Sequence, residues 1–401
     1  MFRVSTVLAF LLFLIRARAG PSVLLTPPKT PIPITYFGMH IHRAAVKTKW
    51  PNVAFGAWRL WDTHVTWPDL EPARGQWNFS LLDKQIALAE AHHVEPIVPL
   101  AFSPTWASAR PTEPSTHLPG GAAEPRDIED WRTFVRTIAT RYQGRAHQYE
   151  VWNEPNVAKF FSGSVDSLVR LTREAYLIIH EIDPQAVMIS PSYAGLDGLA
   201  GLDQFLAKGG GKYCDVIGHH FYVDQQPPEK MLEIARRAKA VLARNGVNKP
   251  LWDTEAGWAH PKPFPDDLAP GYVSRSYILH WAAGVDRFYW YAWDNHNWVT
   301  LELTELDENT PKPAAIAYGT TSRWLVGAVM DSCSSDKSGA WTCSLTRGSA
   351  MTWIVWKESG EGQFTIPASW NVHQAESLLG GSTEVPRGGP LTIGPSPQLL
   401  R

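Results

Sequence analysis

Between about residues 34 and 320 the chain alternates short apolar runs with stretches whose apolar residues recur every three or four positions. The runs are ITYFGMHIH (34–42), GAWRLWD (56–62), EPIVPLAF (95–102), HQYEVWNE (147–154), AVMISPSY (186–193), DVIGHHFY (215–222), PLWDTEAGW (250–258) and DRFYWYAWD (286–294). Helical patterns such as SLLDKQIALAEAHH, IEDWRTFVRTIATRY, LVRLTREAYLIIHEI and PEKMLEIARRAKAVLARNG lie between them. Ser80 stands where a cap would start one helix, and Gly246 where another would stop. Eight strands alternating with helices over about 280 residues is the requirement of an α/β fold of the (β/α)8 barrel type.

The flanks follow other patterns. Arg3 supplies a basic start, Val7 to Ile15 is an apolar run too short to span a bilayer, and Ala17-Arg18-Ala19 resembles a small-residue cleavage site. Residues 1–19 are therefore expected to be a secretory signal peptide, with an uncleaved anchor as the alternative because Arg16 and Arg18 sit so near the cut. The mature chain is then secreted or periplasmic, with no membrane attachment. Residues 20–33 form a Pro-rich linker, or contribute Val23 to Leu25 as a strand of a second domain. Formal net charge is −2, and about −5 once Arg3, Arg16 and Arg18 leave with the leader, which offers nucleic acid no basic surface. Beyond residues 34–320, helical periodicity gives way to AWTCSLTR, MTWIVWK, QFTIP, AESLLG and PLTIG, so residues 321–401 are expected to form an antiparallel β-sandwich. Cys333 and Cys343 bracket a polar turn and are expected to form a hairpin-closing disulfide in an oxidising compartment. Cys214 is expected to be a small buried apolar residue, not a nucleophile.

In a parallel barrel the reacting groups gather at the C-terminal strand ends. Those ends carry His40 and His42, Arg59 and Asp62, Asn153 and Glu154, His219, His220 and Tyr222, Glu255, and then Trp290, Trp293, Asp294 and Asn295. Glu154 and Glu255 dominate, because burying a carboxylate without a partner is costly. Strands four and seven stand across the barrel mouth from each other, and two carboxylates facing one sugar are the minimum machinery of glycoside hydrolysis. The 19 tryptophans include flat amphipathic rings suited to the C–H faces of sugars. Glu150 shares the parity of Glu154 and is expected to form a structural ion pair deep in the barrel. A second chemistry is open: His40 and His42 form an H-x-H, the spacing of metal-dependent barrel hydrolases, with His219, Asp294 and Glu154 to complete a shell. Against it, the fifth strand supplies no ligand. A non-catalytic carbohydrate-binding barrel is a third reading.

VWNEP at the fourth strand, TE in LWDTEAGW at the seventh, and DVIGHHFY together resemble the retaining glycoside hydrolases of clan A, and within it glycoside hydrolase family 39 and its bacterial relatives. WRLWDTHVTWPDLEPARGQWNFSLLD, PLAFSPTWAS and FYWYAWDNHNW extend the resemblance over roughly residues 34–320. The resemblance implies a retaining hydrolase of an oligo- or polysaccharide that needs no metal or organic cofactor. Carried over residue by residue, it implies Glu154 as general acid/base and Glu255 as nucleophile. It further implies Asn153 on the sugar 2-hydroxyl, Arg59 and Tyr222 on Glu255, and His220 beside the acid/base or the sugar. Trp293 would form the floor under the sugar ring, with Trp290 as the alternative, and His42 and Trp106 would complete the substrate-binding set. Strict alternation puts Asn153 and Glu154 on opposite sides of the strand, so a shared site requires the chain to twist or bulge there, before Pro155 ends the pairing.

Overall fold

The computed structural model describes residues 22–259 and 263–401. The expected signal peptide lies outside the described residues. Barrel and sandwich are both present, tied together by the chain's two ends. Strand β1 (Val23–Leu25) runs antiparallel to the first long strand of the C-terminal region, so this part of the Pro-rich segment is a sandwich strand.

The barrel strands are β2 (Phe37–Met39), β3 (Ala57–Arg59), β4 (Glu95–Leu100), β5 (Gln148–Val151), β6 (Val187–Ile189), β7 (Tyr193–Ala194), β8 (Ile217–His220), β9 (Leu251–Ala256) and β10 (Arg287–Trp290). They are hydrogen-bonded in parallel in the order β6-β5-β4-β3-β2-β10-β9-β8-β7. β6 and β7 are two halves of one fifth strand. Pro191 has no N–H for the ladder, so the run expected over residues 186–193 breaks at Ser190–Ser192. Its first half pairs with β5 and its second with β8, and bridges at Ile189↔Val216 and Asn153↔Ser192 close the ring. The break exposes Ser190 and Ser192 to the barrel interior, where both hydroxyls are used: Gly218 N–H donates to Ser190 Oγ, and Ser192 Oγ donates to Glu150.

The helices bury the stripes that their spacing requires. In Ile128–Tyr142 the buried side chains include Trp131, Phe134, Val135, Ile138 and Tyr142, and Asp127 caps the start by accepting the Glu129 N–H. Ser80, expected as a cap, is instead the first residue of helix Ser80–His92, and Asn78 accepts both its N–H and its hydroxyl. The last barrel helix runs Pro313–Leu325, past residue 320, and the change of texture begins at Val326. Inside the barrel the base is apolar, built of Ala57, Ile97, Ile189, Val216, Trp252 and Tyr289. Gly38 makes room there, since a Cβ would lie 2.4 Å from the Tyr289 ring. The layer above this plug is polar, and it is the floor on which the site stands.

The sandwich continues with β11 (Val329–Ser335), β12 (Ala340–Arg347), β13 (Ala350–Lys357), β14 (Gly362–Thr365), β15 (Gln374–Ser377), β16 (Ser382–Glu384), β17 (Pro390–Ile393) and β18 (Gln398–Leu400). A seven-stranded sheet, β1-β11-β12-β13-β18-β15-β16, is partly covered by the pair β14-β17. Cys333 and Cys343 lie directly opposite on β11 and β12 and are disulfide-bonded. Cys214 is buried and free, and burial pushes its thiol up to about 12, which leaves it unreactive near neutrality.

One face of the large sheet joins the barrel core through Trp341, Leu345 and Trp356. At that contact Glu229 accepts an Arg275 N–H and the Trp356 indole N–H, each at 3.1 Å, and Arg275 also donates to the Glu358 carbonyl. Because Arg275 is fully buried, removing its carboxylate partner strands a charge. Glu229→Ala is expected to lower stability by about 3–5 kcal/mol in urea unfolding. An unchanged midpoint would show that the domains hold together without this pair.

Candidate active site

Arg59, the last residue of β3, is fully buried at the centre of the polar layer. Its Nε donates to Glu150 at 2.5 Å, one terminal nitrogen to Glu255 at 2.7 Å and the other to Asn153 at 2.8 Å. The planar fork thus ties together strands two, four and seven, which a lysine's point charge would not do. Glu150, at zero exposure, also accepts hydroxyls from Ser192 and Thr254. Its structural pairing is the ion pair expected of it.

Just past β5 the backbone departs from a strand. Trp152 has φ +63° and Glu154 φ +43°, values that side-chain-bearing residues adopt only when held there. The hold is visible: Trp152 N–H donates to Leu100 O on one side, Glu154 N–H to Ser192 O on the other, and the Trp152 indole N–H to Phe160 O. This double reversal resolves the parity conflict, because Asn153 reaches Arg59 while Glu154 reaches His220 Nδ1 at 2.8 Å.

Glu255 projects from β9 and accepts the Tyr222 hydroxyl at 2.9 Å as well as Arg59. Carboxylate oxygens of Glu154 and Glu255 and a nitrogen of His220 all lie within 4.8 Å of one another. Burial raises both acids, Glu154 to about 7 and Glu255 as well, with Arg59 opposing the rise in each. Contacts separate them. Glu255 receives two donors, one of them a guanidinium, and both favour its carboxylate; Glu154 touches only His220, which burial and then Arg59 hold well below the ordinary imidazole range and hence neutral. The two donors favour the charged form at Glu255 and leave Glu154 the better seat for a shared proton.

The other expected residues divide. His42 lies at the mouth with its Nε2 unpartnered, and its N–H is held by Asp294. His219 turns away from His220 and bonds the Gly195 carbonyl. Trp293 and Trp290 are buried in the hydrophobic core, and Tyr291 between them faces the site instead. Trp293 is therefore no floor for a sugar: its backbone N–H binds the His40 carbonyl, which turns its ring into the core. Trp106 is drawn off too, its indole N–H on the Glu71 carbonyl and its ring under Arg74. Sequence reading missed Tyr291 and Trp298. Tyr291 donates to Asp62 at 2.5 Å, and Trp298, 39% exposed, meets the edges of both Tyr222 and Tyr291. The signal was present in FYWYAWDNHNW, but four consecutive aromatics hide which one faces inward.

The H-x-H metal shell does not assemble. His40 Nε2 is bonded to the Thr254 carbonyl, and Asp294 is taken up by the N–H groups of His42 and Arg43 and by Thr48. Among the described residues, the group with metal-ligand spacing is Glu154, His220 and Glu255, and there Arg59 already supplies the positive charge.

Residues 58–279 match the family described as Glycosyl hydrolases family 39. A β-xylosidase of Caldicellulosiruptor saccharolyticus is 29% identical over 168 residues, which is 39% of this chain and 34% of that protein. The chain thus spans about a third of the length of that curated relative. Among solved structures, a family 39 glycoside hydrolase from Bacteroides cellulosilyticus superposes with TM-score 0.73 at 17% identity over 92% of this chain and 80% of the other. A family 39 β-xylosidase from Caulobacter crescentus gives 0.67 at 15% identity over 94% and 97%.

Arg59→Met leaves Glu150 and Glu255 buried without their cation. Loss of about 3–5 kcal/mol in stability is expected, measured by thermal or chemical unfolding. Simultaneous replacement of Glu150 by Gln is expected to recover part of it, and no recovery would place the cost in packing, not charge.

Proposed function

Since the chain belongs to glycosyl hydrolase family 39, we propose that it cleaves glycosidic bonds of an oligo- or polysaccharide by double displacement with retention of configuration. The observation that carries this is the Glu154–Glu255 pair, with oxygens within 4.8 Å of each other. Retaining enzymes hold their carboxyls about 5–5.5 Å apart, whereas inverting enzymes need about 6.5–9.5 Å to admit water.

Glu255, the carboxylate, attacks the anomeric carbon, and the C–O bond to the leaving sugar breaks as Glu154 gives its proton to the departing oxygen. Glu154, now a carboxylate, takes a proton from water, whose oxygen displaces Glu255 and regenerates both groups. Asn153, whose carboxamide oxygen accepts from Arg59, hydrogen-bonds the sugar 2-hydroxyl in this mechanism. Tyr222 and Arg59 hold the nucleophile in line. Trp298 and Tyr291, not Trp293, offer the aromatic surface. Relatives bearing the name β-xylosidase make short β-xylosides the first substrates to assay. The N-terminal sequence and the Cys333–Cys343 bridge support export, and among the described residues no helix is long and apolar enough to cross a membrane.

Two measurements test the reading. Proton NMR of the earliest product is expected to show the anomer of the substrate; the opposite anomer overturns retention. The Glu154 proton is needed for leaving-group departure, so kcat/KM is expected to fall as pH rises past about 7. Glu154→Gln is expected to lower kcat by about 10²–10⁴-fold on poor leaving groups and to abolish that alkaline limb on a dinitrophenyl glycoside, which departs without an acid. An alkaline limb that survives the substitution would assign the titration to another group.

A further inference from the structure

The sandwich carries a second depression that the barrel chemistry does not use. Along β12 and β13, Trp341, Cys343, Leu345, Ile354 and Trp356 face the barrel, so the alternate residues face away from it. On that far face Ser344 lies opposite Trp353, and Thr342 opposite Val355. The covering pair β14-β17 shields only part of it, where Trp353, Val355, Ile366, Ile393 and Leu400 make a small separate core on which Trp370 packs. Beside this core the face stays open as a depression of about 740 Å³, lined by Ser332, Thr342, Ser344, Met351, Trp353 and Trp370 among others. That volume falls within the ordinary span of small-molecule sites, about 300–1,000 Å³.

Its chemistry is specific. The Ser332 and Ser344 hydroxyls are 2.7 Å apart, and Trp353 and Trp370 stack at 4.5 Å with planes 2° from parallel. Met351 is 52% exposed beside them. None of the lining residues among the described ones is Lys, Arg, Asp or Glu. Trp353 is buried beneath Trp370, so the indole surface offered is that of the half-buried Trp370; with hydroxyls that both donate and accept and the Met351 thioether beside it, it complements a ligand with alternating hydroxyl and C–H faces. A nucleic acid or a uronate chain would need cations here, which the lining lacks. We propose that this face is a non-catalytic binding site for a neutral glycan chain. It rests on the reading that the barrel acts on carbohydrate, and it would hold the polymer so that the barrel meets it at raised local concentration.

The test is affinity electrophoresis of the full chain carrying Glu255→Gln, in gels containing soluble arabinoxylan or mixed-linkage β-glucan, with polygalacturonate as the acidic control. Retardation by a neutral polymer is expected, and Trp370→Ala is expected to weaken it about tenfold. Met351→Glu, which changes an exposed side chain and spares the fold, should do the same. Each substitution in the otherwise unaltered enzyme should leave turnover of a short aryl glycoside unchanged. Retardation by polygalacturonate alone, no retardation by either neutral polymer, or retardation that both substitutions leave intact would each overturn the proposal. The last result would assign binding to the barrel cleft. Absence of aryl-glycoside turnover by the unaltered chain would instead overturn the barrel reading, so the two failures are distinguishable.

Discussion

The buried Arg59 guanidinium is the interaction on which the rest of the site depends. It lies in a layer sealed below by the apolar plug and is surrounded by three acceptors from two other strands: Glu150 and Asn153 from the fourth and Glu255 from the seventh. Desolvating so many charged and polar groups is costly, and it is tolerable only because the fork satisfies them in one plane. Glu150 completes the balance, since with Glu255 alone the cation would be wholly committed to one carboxylate. Its further bonds to Ser192 and Thr254 give the network an anchor on strands five and seven. The site is thereby fixed ahead of any ligand, which is the arrangement that electrostatic stabilisation of a transition state requires.

Backbone irregularity does the remaining positioning, and each departure has a local cause. Pro191 splits the fifth strand, which frees Ser192 to receive the Glu154 N–H and to reach Glu150. That contact, with the Trp152 N–H on the opposite neighbour, holds two non-glycine residues at positive φ. Asn153 and Glu154 can then enter one site from consecutive positions, which a regular strand forbids. The proton distribution follows from the same frame: Glu255 receives the two donors, and Glu154 is left beside a neutral imidazole.

Much of this was legible in the chain. The eight apolar runs, the amphipathic stripe of residues 128–142, the tip positions of Arg59, Asn153, Glu154, His220, Tyr222 and Glu255, and the cysteines at 333 and 343 all lie where spacing put them. Legibility failed where periodicity carries no information. Past Trp290 the eighth strand ends, alternation lapses, and the inward ring is Tyr291, not Trp293. Trp106 has the residue type of a sugar platform, yet Glu71 and Arg74 claim it from outside the loop's own sequence. His40 and His42 have metal-ligand spacing, but His40 Nε2 is bonded to the Thr254 carbonyl and Asp294 is held by the His42 and Arg43 N–H groups, and among the described residues neither histidine joins a group of metal-ligand spacing.

By itself the sequence determined the class of fold and the strand-end positions of Glu154 and Glu255, because hydrophobic period and strand-end polarity are local properties of a chain. Only the tertiary structure decided which acid receives the donors, which aromatic ring faces the cleft, and that one arginine serves three strands. Those outcomes depend on contacts between residues far apart in the chain, 196 positions for Arg59 and Glu255 and 229 for Asp62 and Tyr291. Desolvation and charge pairing act through space, and no periodicity along a chain encodes them.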